Sequence, residues 1–348
     1  MGATMTSYER CMAAFTWKTP DRVPVIPQNS DHAIFLAGYD MIEGSKDARK
    51  LAHALLEARE KFGYDGIMLG PDAAILAEAL GCPTEYRVED PPAITGHIIE
   101  QYDDVDKLKV PDMHNDGRMK VWLEATEILL TECPDAFIIC RADQVAFSLA
   151  ALLRGMENLS LDLTIGEHIE GIQKLLAFCN RCHIEFARAI QAVGAHMTTC
   201  GDSYGGPELI GPSRYKEYVF PYEKEAATII QQDIGLPYSI HICGNTDTIH
   251  DIWPDTGAAA FEVDHKTDIV SLRKASLGKN AIIGNLNTTM LCTDSPETVI
   301  EACRELFDVM MPDSGFILSS GCSMSANTKV ENVEAMVAAA QEFGIYGS

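Results

Sequence analysis

Short apolar runs of four or five residues recur along this chain, and between them apolar residues fall three and four positions apart. The first pattern suits strands buried on both faces, and the second suits amphipathic helices packed over them. Strands are expected at Gly66 to Leu69, Phe137 to Cys140, His196 to Thr199, Tyr238 to His241, Ala259 to Val263, Ala281 to Gly284 and Phe316 to Ser319. Arg22-Val23-Pro24-Val25-Ile26-Pro27 reads as a first strand, because proline biases the residue before it toward extended backbone. Thr6-Ser7-Tyr8-Glu9 is a capping-box pattern that opens a helix running to about Trp17. Further helices are expected from Ser45 to a stop at Gly63, Arg118 to Thr131, Gln144 to Arg154, Ile165 to Val193, and Tyr215 to Gln232. Others follow from Thr246 to Trp253, Ile269 to Ala275, and Pro296 to Met311, with a last one from Glu331 to Phe343 capped by Thr328 and Glu331.

Eight strands, nearly all followed by helices, imply a parallel sheet, and eight such units point to a closed α/β barrel of the (β/α)₈ type. No Gly-rich dinucleotide turn follows the first strand, so an open doubly wound sheet is disfavoured. Residues 1–348 read as one barrel domain with an N-terminal helical extension. The stretch from Cys82 to Pro111 breaks the rhythm and reads as an inserted hairpin or excursion, since it lacks the Gly/Ser bias of a linker.

Charge narrows the partners. With 27 basic and 51 acidic residues the chain carries −24, which repels phosphate backbones and anionic lipid. No apolar run is long enough to span a membrane, and the start lacks a secretory pattern, so a cytoplasmic location with 11 free or metal-bound cysteines is expected. Gly2 with Thr6 fits a myristoylation pattern loosely, but the next residues read as a helix start.

Candidate chemistry collects at strand ends, which in such barrels face one mouth. His241 and Cys243 leave the fifth strand on one face, two residues apart, and Cys322 follows the eighth through Gly321. One imidazole and two thiolates suit zinc and leave a fourth position open. The competing reading is that a chain with 11 Cys and 10 His yields an H-x-C by chance, with the thiols as core residues. Glu262 at the end of the sixth strand is a candidate fourth ligand, outer-shell partner or proton carrier, or else a rim partner of Lys266. Asp202, after the fourth strand, is a candidate mouth carboxylate or a turn residue. Asn245, Asn285 and Asn287 are candidates for holding substrate or, alternatively, turn residues.

Two other motifs compete. Cys179-Asn180-Arg181-Cys182-His183 fits a haem-attachment pattern, but it lies within a long helical run and reads as packing thiols. Gly201-Asp202-Ser203-Tyr204-Gly205 fits the nucleophile elbow of a serine hydrolase, with Asp255 and His265 downstream in the required order. The glycines and prolines after it, Gly205-Gly206-Pro207 and Gly211-Pro212, argue against the helix such an elbow enters.

Glu9-Arg10, Pro20-Asp21-Arg22-Val23-Pro24-Val25, Ile210-Gly211-Pro212-Ser213-Arg214-Tyr215, Phe220-Pro221-Tyr222 and Gly284-Asn285-Leu286-Asn287 are similar to signatures of the uroporphyrinogen decarboxylase superfamily. The resemblance spans nearly the whole chain and implies a (β/α)₈ barrel. Where true decarboxylases of this family carry an arginine-rich segment, this chain has Gln28-Asn29-Ser30-Asp31-His32. His241-Ile242-Cys243-Gly244-Asn245 and Gly321-Cys322 resemble instead the motifs of its zinc-dependent cobamide methyltransferase branch. That resemblance implies Zn²⁺ and methyl transfer between a corrinoid (cobalamin) carrier protein and a small molecule. The small molecule is either a thiol acceptor such as coenzyme M or a methyl ether, amine or thioether donor. The segment Ser323-Met324-Ser325-Ala326-Asn327 departs from the branch in lacking prolines. No D-x-H-x-x-G corrinoid-ligating pattern occurs in the chain, so the cobalamin is expected on a separate carrier.

Overall fold

The computed structural model describes residues 5–347. Seven strands form one parallel sheet in the order β1 (Gly66–Leu69), β4 (Phe137–Gln144), β5 (Met197–Gly201), β6 (Tyr238–Ile242), β7 (Ala260–Val263), β8 (Ala281–Leu286) and β9 (Phe316–Ser320). The two remaining strands, β2 (Thr84–Glu85) and β3 (Ala93–Ile94), pair as a small antiparallel hairpin within the expected 82–111 excursion.

The expected first strand is a chain segment that closes the barrel without a full ladder. Val25 O accepts from the amides of Asp65 and Gly66 on one side, while Ile26 N donates to Leu318 O and Leu318 N donates to Pro24 O on the other. Pro24 and Pro27 lack the amide hydrogens a ladder needs, which explains why its pairing with the sheet is an isolated parallel bridge, Val25 to Leu318. The barrel is therefore the expected (β/α)₈ architecture, with the 22–27 segment as its eighth stave.

The N-terminal helix, Ser7–Phe15, has the expected capping box at Thr6 and Glu9. It closes the barrel floor: Cys11, Ala14 and Phe15 pack with inward residues including Ile26, Met68, Phe137, Ile139, Met197, Ile283 and Ile317. Arg10 reaches both Asp21 and Asp65 at 2.6 Å, and Arg22 meets Asp65 at 2.8 Å. Asp65 Oδ2 also accepts from Val25 N. The charged residues of the opening motifs thus fasten helix, closing segment and β1 together beneath the barrel.

Several helix boundaries differ from expectation, each for a local reason. The helix expected from Ser45 is split into Met41–Lys46 and Ala48–Phe62, because Asp47 turns extended and caps the second piece. The long helix begins at Ile169 and is preceded by Met156–Ile165, which Gly166 terminates in a left-handed conformation. Thr246 to Trp253 holds only 3₁₀ turns: Thr246 and His250 are tied to Thr267 and Ser271, and Pro254 disfavours a helical Trp253. The last helix, Val330–Glu342, starts after Lys329, and the Thr328 hydroxyl faces Cys292 instead of capping it.

Candidate metal centre

Alternation along β6 sends Tyr238, Ile240 and Ile242 outward into the helix layer and Ser239 and His241 into the barrel. Just beyond the strand Cys243 follows on the inner side. Gly321 leads Cys322 to the same place, and a side chain there would strike the His265 backbone nitrogen at 2.7 Å, so the approach requires glycine. The donor atoms converge: His241 Nε2 lies 3.0 Å from Cys243 Sγ and 3.7 Å from Cys322 Sγ, and the two sulfurs are 3.5 Å apart. A tetrahedral zinc with its usual N and S bond lengths has donor-to-donor edges of roughly 3.5–3.8 Å. The sulfurs are too far apart for a disulfide, which needs about 2.05 Å. Among the described residues this is the one group of three such donors within 4.8 Å of one another.

Two of the donors are held from behind. The Nδ1 of His241 donates to the Glu262 carbonyl at 3.0 Å, which leaves Nε2 as the ring nitrogen directed at the thiols. The Cys243 amide donates to Ser203 Oγ at 3.2 Å, and the Gly244 amide donates to Asp264 Oδ2 at 2.9 Å. A hydrogen bond from Cys322 stabilises the Cys243 thiolate, which burial opposes and His241 supports; the net result is a thiol pushed down to about 3. Burial disfavours the His241 cation, but the Cys243 charge, its hydrogen bond and Glu262 outweigh it, raising the imidazole to about 9. Cys322 moves up, because it donates to Cys243 and is buried.

The Glu262 carboxylate stands outside the three-donor group. It is fully buried, one oxygen receiving the hydroxyls of Thr199 and of Ser239 (2.6 Å), the other without a hydrogen-bond partner. It does not pair with Lys266. That orphaned oxygen and the His/Cys/Cys donors fit a zinc ion better than they fit a closed hydrogen-bond network.

Asp202, just beyond β5, keeps one carboxyl oxygen, Oδ2, without a hydrogen-bond partner. It is fully buried, its Oδ1 accepting from Ser148 N at 2.8 Å near the start of helix Ala146–Arg154. Burial pushes its carboxyl up to about 7, and Glu223, raised by burial and by Asp202, faces it. Asn245 is spent in a turn, accepting from Asp247 N, and Asn287 caps helix Thr288–Thr293. Asn285 lies two residues beyond Ile283 on the barrel side of β8, with Nδ2 bound to the Asp264 carbonyl at 3.1 Å. The hydrolase triad does not assemble: Ser203 serves Cys243, Asp255 pairs with Lys279, and His265 pairs with Asp264. Cys179 and Cys182 are buried in their helix, as packing thiols. Gly2 lies outside the described residues.

Two supporting residues, Thr199 and Ser239, and the unpaired Arg141 escaped the sequence reading. Each is a polar residue at an inward position of its strand, a signal that period two could have given.

The match to known proteins agrees with this geometry. The family model for uroporphyrinogen decarboxylase matches residues 6–343. The methylcobamide:CoM methyltransferase MtbA of Methanosarcina acetivorans is 29% identical over 97% of this chain and 99% of its own. A methylated-thiol–coenzyme M methyltransferase of Methanosarcina mazei is 24% identical over 98% and 91%. A solved methyltransferase structure from Methanosarcina mazei superposes with a TM-score of 0.88 at 22% identity, covering 97% of this chain and 99% of that one. No helix among the described residues is long and apolar enough to cross a membrane.

Proposed function

The chain belongs to the uroporphyrinogen decarboxylase family, and from that premise we propose that it is a zinc-dependent methyltransferase working between a corrinoid carrier protein and a small substrate. The observation that carries the proposal is the convergence of His241, Cys243 and Cys322 at the barrel mouth. Relatives named as methylcobamide:CoM methyltransferases along their full length support the reaction class. The decarboxylase reading finds less support, because the segment after the closing stave, Gln28 to His32, offers no arginine for a substrate with many carboxylates.

His241 Nε2 and the two cysteine sulfurs would hold the zinc, and Glu262, through its unpartnered oxygen, is the proposed fourth and displaceable ligand. Bound there, zinc supplies Lewis acidity that favours a thiolate at neutral pH or polarises the leaving atom of a methyl ether, amine or thioether. Thr199 and Ser239 hold the Glu262 carboxylate, which would yield its place at the metal to a substrate atom. Released, Glu262 can accept the proton that a thiol gives up, or return one to a leaving group. Asn285, with its amide facing the barrel interior, orients the substrate. The corrinoid approaches the open mouth from outside, carried by its own protein, because nothing in this chain supplies a cobalt ligand pattern.

The test is single-turnover methyl transfer with zinc-loaded protein, free methylcobalamin and a thiol, read from the cob(I)alamin absorbance. Transfer should occur and should vanish in Cys322→Ser while the circular dichroism is unchanged. Equal transfer by both proteins would overturn the reading.

A further inference from the structure

The three donors are not anchored alike. His241 is fixed through Nδ1 by the Glu262 carbonyl, and Cys243 through its amide by Ser203 Oγ. Among the described residues no backbone hydrogen bond anchors Cys322 itself. Its place is set by its neighbours instead. Gly321 N donates to Leu286 O at 2.7 Å on the β8 side, and Met324 N donates to Gln28 O at 2.7 Å on the side of the closing segment.

Between these two stitches lies Ser323. It is exposed at the mouth, yet its hydroxyl turns inward and donates to Asp31 Oδ2 at 3.3 Å. The Ser323 amide favours the Cys322 thiolate. A residue that fixes Ser323 therefore bears on both the position and the charge of that sulfur.

Asp31 is an unusual partner for such a contact. It is the second residue of helix Ser30–Leu36, where a carboxylate ordinarily sits in water and favours the helix dipole. Here it is 9% exposed, and its Oδ1 is buried without a hydrogen-bond partner. Two charged groups face it, Asp72 and Arg141, and Asp72 is already bound to Arg118 at 2.7 Å. Burial and the Asp72 charge push its carboxyl up to about 8, so the protonated form prevails at pH 7. A buried acid whose one hydrogen bond is to Ser323 costs stability, and what it holds accounts for its place.

We propose that Asp31 is a positioning residue for the metal centre, holding Ser323 by its hydroxyl and through Ser323 keeping Cys322 Sγ within reach of His241 and Cys243. This role rests on the zinc reading of the three donors and extends it across the mouth, because the donor after β9 is tied to the helix after the closing segment. With the acid neutral at pH 7, the contact needs an acceptor at Oδ2 and not a charge. An amide oxygen in the same place should serve as well.

Cobalt(II) in place of zinc reads the sulfurs directly, because its thiolate-to-metal charge-transfer absorption grows with the number of cysteines bound. The unaltered protein loaded with cobalt(II) should show a two-thiolate spectrum, and Cys322→Ser a one-thiolate spectrum. Asp31→Ala and Ser323→Ala should each shift the spectrum toward that of Cys322→Ser and weaken cobalt about tenfold in competition with a chelator. Asp31→Asn should restore both at pH 7, and the Asp31→Ala, Ser323→Ala double variant should be no worse than either single change. Ser323→Ala leaves the helix untouched and covers the case in which Asp31→Ala folds poorly. Unaltered spectra and affinity in both alanine variants would overturn the positioning role while leaving the metal centre standing. So would losses that add in the double variant, or an Asp31→Asn protein as impaired as Asp31→Ala. If the unaltered protein takes up no cobalt(II), or takes it up without thiolate bands, the metal reading falls and this role with it.

Discussion

The floor and the mouth of this barrel are built from the same strands, yet they obey opposite rules. On β4, Phe137 and Ile139 fill the floor while Arg141, two residues on, stands unpaired. β7 and β8 repeat the step, from Ala260 to Glu262 and from Ile283 to Asn285. At the floor an apolar layer is sealed by Phe15, and its charges, Arg10, Arg22, Asp21 and Asp65, are paired with one another outside it. At the mouth, polar side chains stay buried with some of their atoms unanswered. Floor residues are satisfied by the fold itself, whereas Arg141 and Glu262 at the mouth keep atoms that the fold leaves unanswered, and this separates stability from chemistry along a single strand.

The sharpest way to break the comparison is at the donors. Cys243→Ser and Cys322→Ser should each lose zinc and essentially all methyl transfer, with the thermal midpoint of the metal-free protein unchanged; elemental analysis and melting curves check both halves. Phe137→Ala should do the reverse, costing about 3–5 kcal/mol of stability by leaving a cavity, while zinc per folded chain stays the same, as denaturant titration and metal analysis would show. A smaller effect is expected one layer back. Ser203→Ala removes the acceptor for the Cys243 amide and should weaken zinc about tenfold, measured by competition with a chelator, with little change in fold.

The barrel was legible in the sequence because its strands are buried on both faces and each is followed by an amphipathic helix. The closing segment at 22–27 was legible as extended chain, but not as a stave without a ladder, since its prolines shape the hydrogen bonding more than the backbone direction. The donor set was legible because His241 and Cys243 sit two apart and Cys322 follows a glycine after the last strand of the chain. What side chains do beyond a strand end was not. Asp202, Asn245 and Asn287 follow strands as closely as His241 does, yet in each case one oxygen accepts from an amide of the loop or helix beside it. Spacing fixes which face a residue leaves from, and the competition among nearby amides fixes what it then binds.

The smallest expected effect concerns the carboxyl behind the wall. Asp202 in the folded protein titrates at about 7, above its ordinary 3.8, so the folded state holds that proton more tightly. Its contribution to stability is complete below about pH 4 and is lost as pH rises through about 7. Asp202→Asn, uncharged throughout, should flatten that part of the decline, seen as a smaller difference in urea midpoint between pH 5 and pH 8 than in the unaltered protein. An unchanged difference would place the titrating group elsewhere.

The most direct test of the mouth as a metal centre is elemental analysis of the purified protein beside His241→Ala. About one zinc per chain in the first and almost none in the second, with matching circular dichroism, is the expected result. Equal metal in both proteins, or none in either after zinc is supplied, would contradict the assignment of His241, Cys243 and Cys322 as its ligands.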